Sequence, residues 1–332
     1  MTADAGCGLV ADIGGTNIRF ALVEPQAAAP LLRDSIRRYR VSDHPSLADA
    51  ARRYLDDTGA RVSHAVCAAA GRVTAGEVRL TNHPWLIRVE ETRATLGLAS
   101  MRVVNDFAAM SRCLPLLVPD AVVVLGAAAA PAIGMGPEAT YAVIGPGTGL
   151  GVGALLRRTR HFDVLETEGG HVAFAPQTDE EIEILRVLRA RYGRVSNERL
   201  ISGSGLPHLH QALCTLAGAS CEQRLPPEAI TAAADAGTDA LCVRTLEVFA
   251  AILGSVAGDL VLTFGAWDGL YLAGGLLPRL LPWLQRGSFR ARFEDKGRFA
   301  ESLQRVPSVA IMDPDAGLLG AAALAVQYQR AE

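Results

Sequence analysis

The chain contains the same local pattern twice: a short apolar strand, a glycine-rich turn and a second apolar strand. The first copy covers residues 9–23 and turns at Gly14-Gly15-Thr16-Asn17. The second covers residues 141–156 and turns at residues 145–151, where four of seven positions are glycine. Two strands joined by such a turn form a hairpin. Because each hairpin comes near the start of one half of the chain, the pattern predicts an internally duplicated architecture.

Helical and strand patterns alternate along the rest of the chain. Buried strands are predicted at residues 64–70, 101–104 and 270–273. Helices are predicted after Ser46, at residues 90–96, at residues 178–192 behind a Thr178–Glu181 capping box, at residues 241–264, and at residues 316–329 behind Asp315. This alternation is typical of an α/β protein with mixed sheets. The alanine-, glycine- and proline-rich residues 121–140 are the expected crossing between two domains.

Charge and hydropathy exclude several function classes. The net charge is −3 and the pI about 6.2, without a basic stripe, so no nucleic-acid partner is expected. The start of the sequence lacks the basic and apolar regions of a secretion signal, which predicts a cytoplasmic protein. The apolar residues 248–262 include Asp259 and predict a buried helix, so no membrane partner is expected.

The first glycine turn is a candidate phosphate site. Successive glycines let backbone N–H groups approach an anion closely. Asp12 is placed to hold Mg²⁺ through water, and Thr16 adds a hydroxyl donor. The alternative is a plain hairpin turn. A strand follows the glycines where a dinucleotide-binding fold would need a helix, so that fold is not expected. The candidate nucleotide-binding residues here are Ala11, Asp12, Ile13, Gly14, Gly15 and Thr16.

Two further glycine segments are candidates for binding the nucleotide. Backbone amides at Gly147 and Gly149, with the Thr148 hydroxyl, suit terminal phosphates. Gly274 and Gly275 follow a predicted strand, and their side-chain-free backbone suits an adenine or ribose. For this last pair, tight packing between a strand and a helix is the alternative.

Five polar residues are candidates for a small hydroxylated ligand and for proton transfer. Asp106 follows a predicted strand and can accept a hydroxyl proton, while Asn105 can orient the ligand; the alternative is an Asx cap on the next helix. Glu168 and His171 flank two glycines, so a turn can direct both at adjacent hydroxyls. Glu198, taken alone, is a solvated acid at a helix start.

Together these segments resemble the bacterial glucokinase family, the ATP-dependent non-ROK type of the sugar kinase and actin-like ATPase superfamily. The resemblance covers nearly the whole chain. The segments that carry it are residues 12–17, 80–85, 104–108, 145–151, 168–176, 195–206, 273–278, 288–299 and 317–320.

The resemblance implies a duplicated actin-like ATPase (ribonuclease H-like) fold with two domains around a cleft. The implied small domain is residues 1–116 plus 315–332, and the large domain is residues 117–314. It implies transfer of the γ-phosphoryl group of ATP to the C6 hydroxyl of glucose, with Mg²⁺ and a possible homodimer. Asn105, Asp106, Glu168, His171 and Glu198 fall on its glucose-binding positions, and Asp106 on its catalytic base.

The chain departs from the family where a proline is usual near the sugar, since residues 67–71 here read Cys-Ala-Ala-Ala-Gly. The cysteine-rich zinc motif of ROK kinases is missing, so no structural zinc is expected. Two alternatives stay open, namely a kinase for another hexose and a non-catalytic sugar sensor on the same fold. The first strand begins by Leu9, so a preceding DNA-binding segment is not expected.

Overall fold

The structure is a computed structural model that describes residues 7–27, 29–80, 83–129, 133, 137–219 and 224–329. Thr81 and Asn82 of the resemblance, and residues 130–132 and 134–136 of the predicted crossing, lie outside these ranges. The strands are β1 (Gly8–Ile13), β2 (Asn17–Val23), β3 (Leu31–Arg40), β4 (His64–Ala69), β5 (Val73–Thr74), β6 (Glu77–Arg79), β7 (Leu86–Arg88), β8 (Ser100–Asn105), β9 (Val122–Leu125), β10 (Ala139–Pro146), β11 (Leu150–Arg157), β12 (Phe162–Glu166), β13 (Gly269–Leu272) and β14 (Ser308–Ile311).

The α-helices follow the alternation expected from sequence. They are α1 (Leu47–Thr58), α2 (Val89–Leu96), α3 (Asp106–Arg112), α4 (Asp179–Tyr192), α5 (Leu206–Leu216), α6 (Pro227–Asp235), α7 (Ala240–Phe264), α8 (Leu277–Leu284), α9 (Ser288–Glu294), α10 (Ala300–Arg305) and α11 (Ala316–Gln329). Short 3₁₀ helices lie at Val41–Asp43, Leu114–Leu116, Pro119–Ala121, Gly169–His171, Asn197–Arg199 and Gly297–Phe299.

The chain forms two compact units, each with its own hydrophobic core. Unit 1 comprises Met1–Val118, His161–Glu166 and Asp313–Glu332, and unit 2 comprises Pro119–Arg160 and Thr167–Met312. The strand β12 therefore goes with unit 1, where the Arg112 guanidinium lies 5.0 Å from the Phe162 ring centroid. The division into functional domains made from sequence stays a prediction.

The two units share an arrangement of four strands, β2-β1-β4-β8 in unit 1 and β11-β10-β13-β14 in unit 2. In unit 1 the sheet order is β3-β2-β1-β4-β8, with β1 antiparallel to β2 and parallel to β4. Unit 2 contributes strands in the order β11-β10-β13-β14-β9, with β10 antiparallel to β11 and parallel to β13. In both units a hairpin is thus followed by parallel strands. The mixed α/β class and the duplication predicted from the two hairpins are confirmed.

Local capping signals set the helix starts that the sequence predicted. Ser46 caps α1 by accepting a hydrogen bond from the Asp49 amide at 3.2 Å. Thr178 caps α4 in the same way, accepting from the Glu181 amide at 3.2 Å. The Glu181 carboxylate accepts from the Gln177 amide, one residue before the cap. These caps satisfy N–H groups that a helix start leaves without partners.

The long helix α7 is a core element of unit 2. By length and composition alone it is able to cross a membrane, but 72% of its most apolar 18-residue window is buried inside the protein. Its glycines allow close packing on α9, since a Cβ at Gly254 would lie 2.1 Å from the Phe289 carbonyl oxygen. A Cβ at Gly258 would lie 2.5 Å from the Phe293 carbonyl oxygen. The prediction of a buried helix is confirmed.

In unit 1, α11 packs on α3 through a glycine of the same kind. A Cβ at Gly320 would lie 1.7 Å from the Ala109 carbonyl oxygen, so Gly320→Ala must push the two helices apart. We expect the free energy of unfolding to fall by ~1–3 kcal/mol, the usual cost of overpacking. Helix propensity acts in the opposite direction, because alanine is favoured over glycine in a helix by about 1 kcal/mol. The overpacking is expected to outweigh it. Urea unfolding measures the loss.

The control is Val326→Ala, at a partly exposed position of the same helix. It is expected to change stability by less than ~1 kcal/mol. A Gly320→Ala protein as stable as the wild type would mean that α3 and α11 do not approach this closely.

Candidate active site

Unit 1 brings the first glycine turn and the Asn105-Asp106 pair to one edge of its sheet. The strands β1, β4 and β8 are parallel neighbours, and their last residues Ile13, Ala69 and Asn105 lie in one row. The carboxyl ends of parallel strands are where open α/β sheets bind ligands. The turn after Ile13 and the helix after Asn105 therefore begin at the same edge of the sheet, with β4 between their strands.

Backbone hydrogen bonds hold the first glycine turn. The Gly14 amide donates to the Asn17 carbonyl at 2.9 Å and closes the hairpin. The Ala70 amide donates to the Ile13 carbonyl at 3.0 Å, which attaches the segment lacking the family's proline to β1. Thr16 is exposed and Gly15 partly exposed, so the turn presents its backbone to solvent.

Asp12 forms an ion pair that sequence reasoning missed. Its carboxylate contacts the Arg19 guanidinium, which also lies 3.4 Å from Asp315. The signal was available, because Asp12 and Arg19 lie directly opposite each other in the β1–β2 register. The start of α11 lies against the same carboxylate, since a Cβ at Gly317 would be 2.8 Å from Asp12 Oδ2.

Asn105 is the N-cap of α3, so the capping alternative is confirmed for it. Its Oδ1 accepts from the amides of Phe107 at 2.8 Å and Ala108 at 3.3 Å, and its Nδ2 donates to the Gly71 carbonyl at 3.4 Å. Asp106 is the first residue of α3 and remains partly exposed, with Oδ1 accepting from the Phe107 amide at 3.0 Å. The cap therefore fixes the position from which the Asp106 carboxylate projects.

Unit 2 brings together the three sugar-binding candidates of the second half. His171 lies between two carboxylates, with Nε2 3.9 Å from Glu168 and Nδ1 3.8 Å from Glu198. The side chains of Glu168 and His171 are about half exposed, at 51% and 49%. Two acceptors with an imidazole between them suit neighbouring hydroxyl groups of a small ligand.

The position of Glu198 differs from the solvated acid that its sequence context suggests. It lies in the 3₁₀ helix Asn197–Arg199, and its Oε2 accepts a hydrogen bond from the Leu150 amide at 3.0 Å. Leu150 is the first residue of β11 and belongs to the segment predicted as the second glycine turn. One member of the predicted sugar trio therefore also contacts the predicted phosphate hairpin, from which it is far apart in sequence.

Glycines make this contact sterically possible. A Cβ at Gly149 would lie 2.4 Å from Glu198 Oε2, and a Cβ at Gly170 would lie 2.0 Å from the Leu150 carbonyl oxygen. The Gly-Gly pair before His171 thus lets its turn press against β11. Glycine is needed at these two positions because neighbouring atoms approach closely. The backbone conformation does not require it, since neither Gly149 nor Gly170 has a positive φ.

The second glycine turn lies beside two other loops of unit 2. The Gly203 amide donates to the Gly147 carbonyl at 2.8 Å, and the Ser204 amide to the Thr148 carbonyl at 3.3 Å. Gly274 has φ +98°, and a Cβ there would lie 2.5 Å from the Pro146 carbonyl oxygen. The predicted second phosphate turn and the predicted adenosine segment are therefore adjacent.

These loops border an open pocket of about 620 Å³. Sequence reasoning named Gly147, Thr148 and Gly275 among its lining residues and missed the rest. The missed lining residues include Gly203, Ser204, Pro207, Arg224, Leu225 and Leu276. The Ser-Gly-Ser-Gly sequence at residues 202–205 was the available signal, since small residues permit close backbone approach.

Hydrogen bonds orient Arg224 at the pocket wall. Its guanidinium donates to the Ser204 carbonyl at 3.2 Å and to His208 Nε2 at 2.9 Å. Burial, followed by the positive charge of Arg224, lowers the pKa of His208 to about 4. His208 is therefore neutral at pH 7 and accepts the hydrogen bond from Arg224.

Comparison with known proteins assigns the family. A family model described as glucokinase matches residues 9–328. A glucokinase of Stenotrophomonas maltophilia (strain K279a) is 53% identical over 330 residues, which are 99% of this chain and 98% of that protein. A glucokinase of Xanthomonas oryzae pv. oryzae (strain MAFF 311018) is 52% identical with the same coverage. The chain belongs to the glucokinase family.

Solved structures agree with the glucokinase assignment. The crystal structure of a glucokinase from an Antarctic psychrotroph matches with a TM-score of 0.84 and 36% identity, covering 96% of this chain and 98% of that one. A glucokinase of Balamuthia mandrillaris, crystallised with glucose, matches with a TM-score of 0.81 at 22% identity and supports the fold. Its alignment covers 97% of this chain and 93% of that one.

A matched pair of variants tests the geometry around Glu198 in this glucokinase-family chain. Gly149→Ala places a methyl group 2.4 Å from Glu198 Oε2, so the carboxylate must leave the Leu150 amide. We expect the free energy of unfolding to fall by ~1.5–3 kcal/mol, the worth of a hydrogen bond to a charged group. Chemical denaturation measures the loss, and a crystal structure of the variant should show Glu198 displaced.

Gly147→Ala in the same turn is the control, because a Cβ there would lie 4.0 Å from its nearest neighbour, the Gly149 carbonyl oxygen. Equal stability losses in the two variants would contradict a specific clash with Glu198.

Proposed function

We propose that this protein is an ATP-dependent glucokinase, which transfers the γ-phosphoryl group of ATP to the C6 hydroxyl of glucose and releases glucose 6-phosphate and ADP. Membership of the glucokinase family over residues 9–328 supports this activity. The observation that carries the proposal is the position of Glu198. It contacts both the second glycine turn, through the Leu150 amide, and His171 of the sugar trio.

In this proposal the glycine turns bind the phosphates of ATP. The backbone of Ala11, Asp12, Ile13, Gly14, Gly15 and Thr16 forms one phosphate segment, and Gly147, Thr148 and Gly149 form the other. The 620 Å³ pocket receives the adenosine, with Gly274 and Gly275 beside it. Its size suits a nucleoside, since small-molecule sites commonly occupy about 300–1,000 Å³.

Mg²⁺ fits the site as an ion bound chiefly to phosphate oxygens. Asp12 is the candidate protein partner, and its Oδ2 is already paired with Arg19. A contact through water therefore suits Asp12 better than direct coordination, and Mg²⁺ usually retains several waters. When bound, the ion neutralises charge on the phosphates.

The proposed sugar site combines orientation and proton transfer. Glu168, His171 and Glu198 hold ring hydroxyls, while Asn105 fixes the start of α3 and thereby Asp106. The Asp106 carboxylate accepts the C6 hydroxyl proton as that oxygen bonds to the γ-phosphorus. The bond from that phosphorus to the β–γ bridging oxygen breaks, and ADP takes the electron pair. Positioning supplies most of the rate in such transfers.

The Asp106→Asn variant tests the proton acceptor. The amide keeps the size and a hydrogen-bonding oxygen but cannot take a proton, so kcat should fall at least ~100-fold. Glucose affinity, measured by calorimetry, should change little. Asp56→Asn, at an exposed position of α1 in the same unit, is the control and should keep normal turnover. Near-normal turnover of Asp106→Asn would show that this carboxylate is not the base.

A panel of hexoses tests the substrate. With ATP and Mg²⁺ in a coupled assay, we expect kcat/KM to be highest for glucose among glucose, mannose, fructose and N-acetylglucosamine. A higher value for another hexose would replace glucose by that sugar. Absence of ATP turnover with every sugar would instead favour the sugar-sensor alternative.

A further inference from the structure

A second cluster of chemically reactive side chains lies inside unit 2, where α5 packs on α7. His210 and Cys214 are one turn apart on α5. Asp239 caps α7, and Cys242 lies in the first turn of that helix. His210 is 3% exposed and Cys242 is fully buried, among the apolar residues of the unit 2 core.

The His210 imidazole has weak partners for so buried a group. Among the described residues, the hydrogen-bond contacts of its ring nitrogens go to sulfur atoms, with Nε2 3.6 Å from Cys242 Sγ and both nitrogens 3.8 Å from Cys214 Sγ. Sulfur is a weak donor and acceptor, and a buried polar group without a good partner destabilises a fold. A bound cation would give the imidazole nitrogen a strong partner.

The donor atoms are spaced as ligands of one ion. A nitrogen of His210, the Cys242 sulfur and an Asp239 carboxylate oxygen all lie within 4.8 Å of one another. Tetrahedral zinc has Zn–S near 2.3 Å and Zn–N near 2.0–2.1 Å, which places sulfur and nitrogen about 3.6 Å apart. That is the Cys242–His210 separation. Because Cys214 forms a disulfide, its sulfur is not counted as a ligand.

We propose that His210, Asp239 and Cys242 bind one Zn²⁺ ion in the core of unit 2, with water as the fourth ligand. Nitrogen, thiolate and carboxylate donors together suit zinc better than Mg²⁺, which prefers oxygen. On binding, the Cys242 thiol releases its proton to solvent and a Zn–S bond forms, without oxidation or reduction. The ion joins α5 to the start of α7 and so stabilises unit 2.

This site is separate from the residues proposed for catalysis. It also uses none of the cysteine-rich motif whose absence led to the expectation of no structural zinc. That expectation concerned one known arrangement of ligands, whereas His210 and Cys242 are 32 positions apart in sequence and meet only in the fold.

Cobalt substitution in the full-length protein tests the site. Co²⁺ bound to a thiolate gives a sulfur-to-metal charge-transfer band in the near ultraviolet, which oxygen and nitrogen ligands do not produce. We expect one equivalent of Co²⁺ to produce this band and one equivalent of Zn²⁺ to abolish it. Zinc-edge X-ray absorption should show one sulfur at about 2.3 Å. Absence of the band, or a zinc shell without sulfur, would overturn the proposal.

Conservative variants assign the ligands. Cys242→Ser should abolish the band, and His210→Gln or Asp239→Asn should weaken Zn²⁺ binding at least ~10-fold, since even residues next to a ligand have effects of that size. Asp239→Asn retains a good helix cap, so its effect is separable from misfolding. Cys113→Ser, at another buried free cysteine, is the matched control and should bind Zn²⁺ normally.

Thermal unfolding gives a readout independent of spectroscopy. Added Zn²⁺ should raise the Tm of the wild type and of Cys113→Ser, because a ligand that binds only the folded chain stabilises it. The Tm of Cys242→Ser should not respond. A band or a zinc-dependent Tm that persists unchanged in Cys242→Ser would show that these residues do not form the site.

Discussion

The close approach of backbone segments at the second glycine turn is the constraint on which the candidate site of unit 2 depends. Gly149 leaves room for the Glu198 carboxylate, Gly203 approaches the turn itself, and Gly274 lies against Pro146. A side chain at Gly149 or Gly274 would place a carbon within about 2.5 Å of an oxygen. The glycines therefore have a packing role, because they let three loops meet around one turn.

Unit 1 uses a charged connection for a similar purpose. Arg19 on β2 contacts Asp12 on β1 and Asp315 before α11, so one guanidinium joins the first hairpin to the last helix. Gly317 and Gly320 then bring α11 close to Asp12 and to α3. The last helix thereby supports both the first glycine turn and the helix that begins at Asp106. Residues 316–325 of this helix are all buried, and the small ones among them allow the close packing.

The two units therefore place their candidate site residues at corresponding points of a repeated topology. In each, a hairpin with a glycine turn precedes parallel strands, and polar side chains follow at loops that the sheet brings near that turn. The helical part of unit 2 is different, because α5 and α7 enclose a histidine, an aspartate and a cysteine far from the sheet hairpin in sequence. A metal there would stabilise the scaffold and leave catalysis to the loops.

The sequence by itself determined the elements whose signals are local. Glycine turns between apolar strands fixed both hairpins, and the residues around Thr178 and Asp315 marked helix starts that the structure confirms. The contacts of Glu198 and Arg19 could be inferred from the sequence to different degrees. The contact of Arg19 with Asp12 follows from the strand register. Glu198 and Leu150 are 48 positions apart, and no local sequence pattern predicts their hydrogen bond. The lining of the 620 Å³ pocket and the His210–Cys242 pair were likewise decided by the fold, because packing brings distant segments together and sequence spacing does not encode which ones meet.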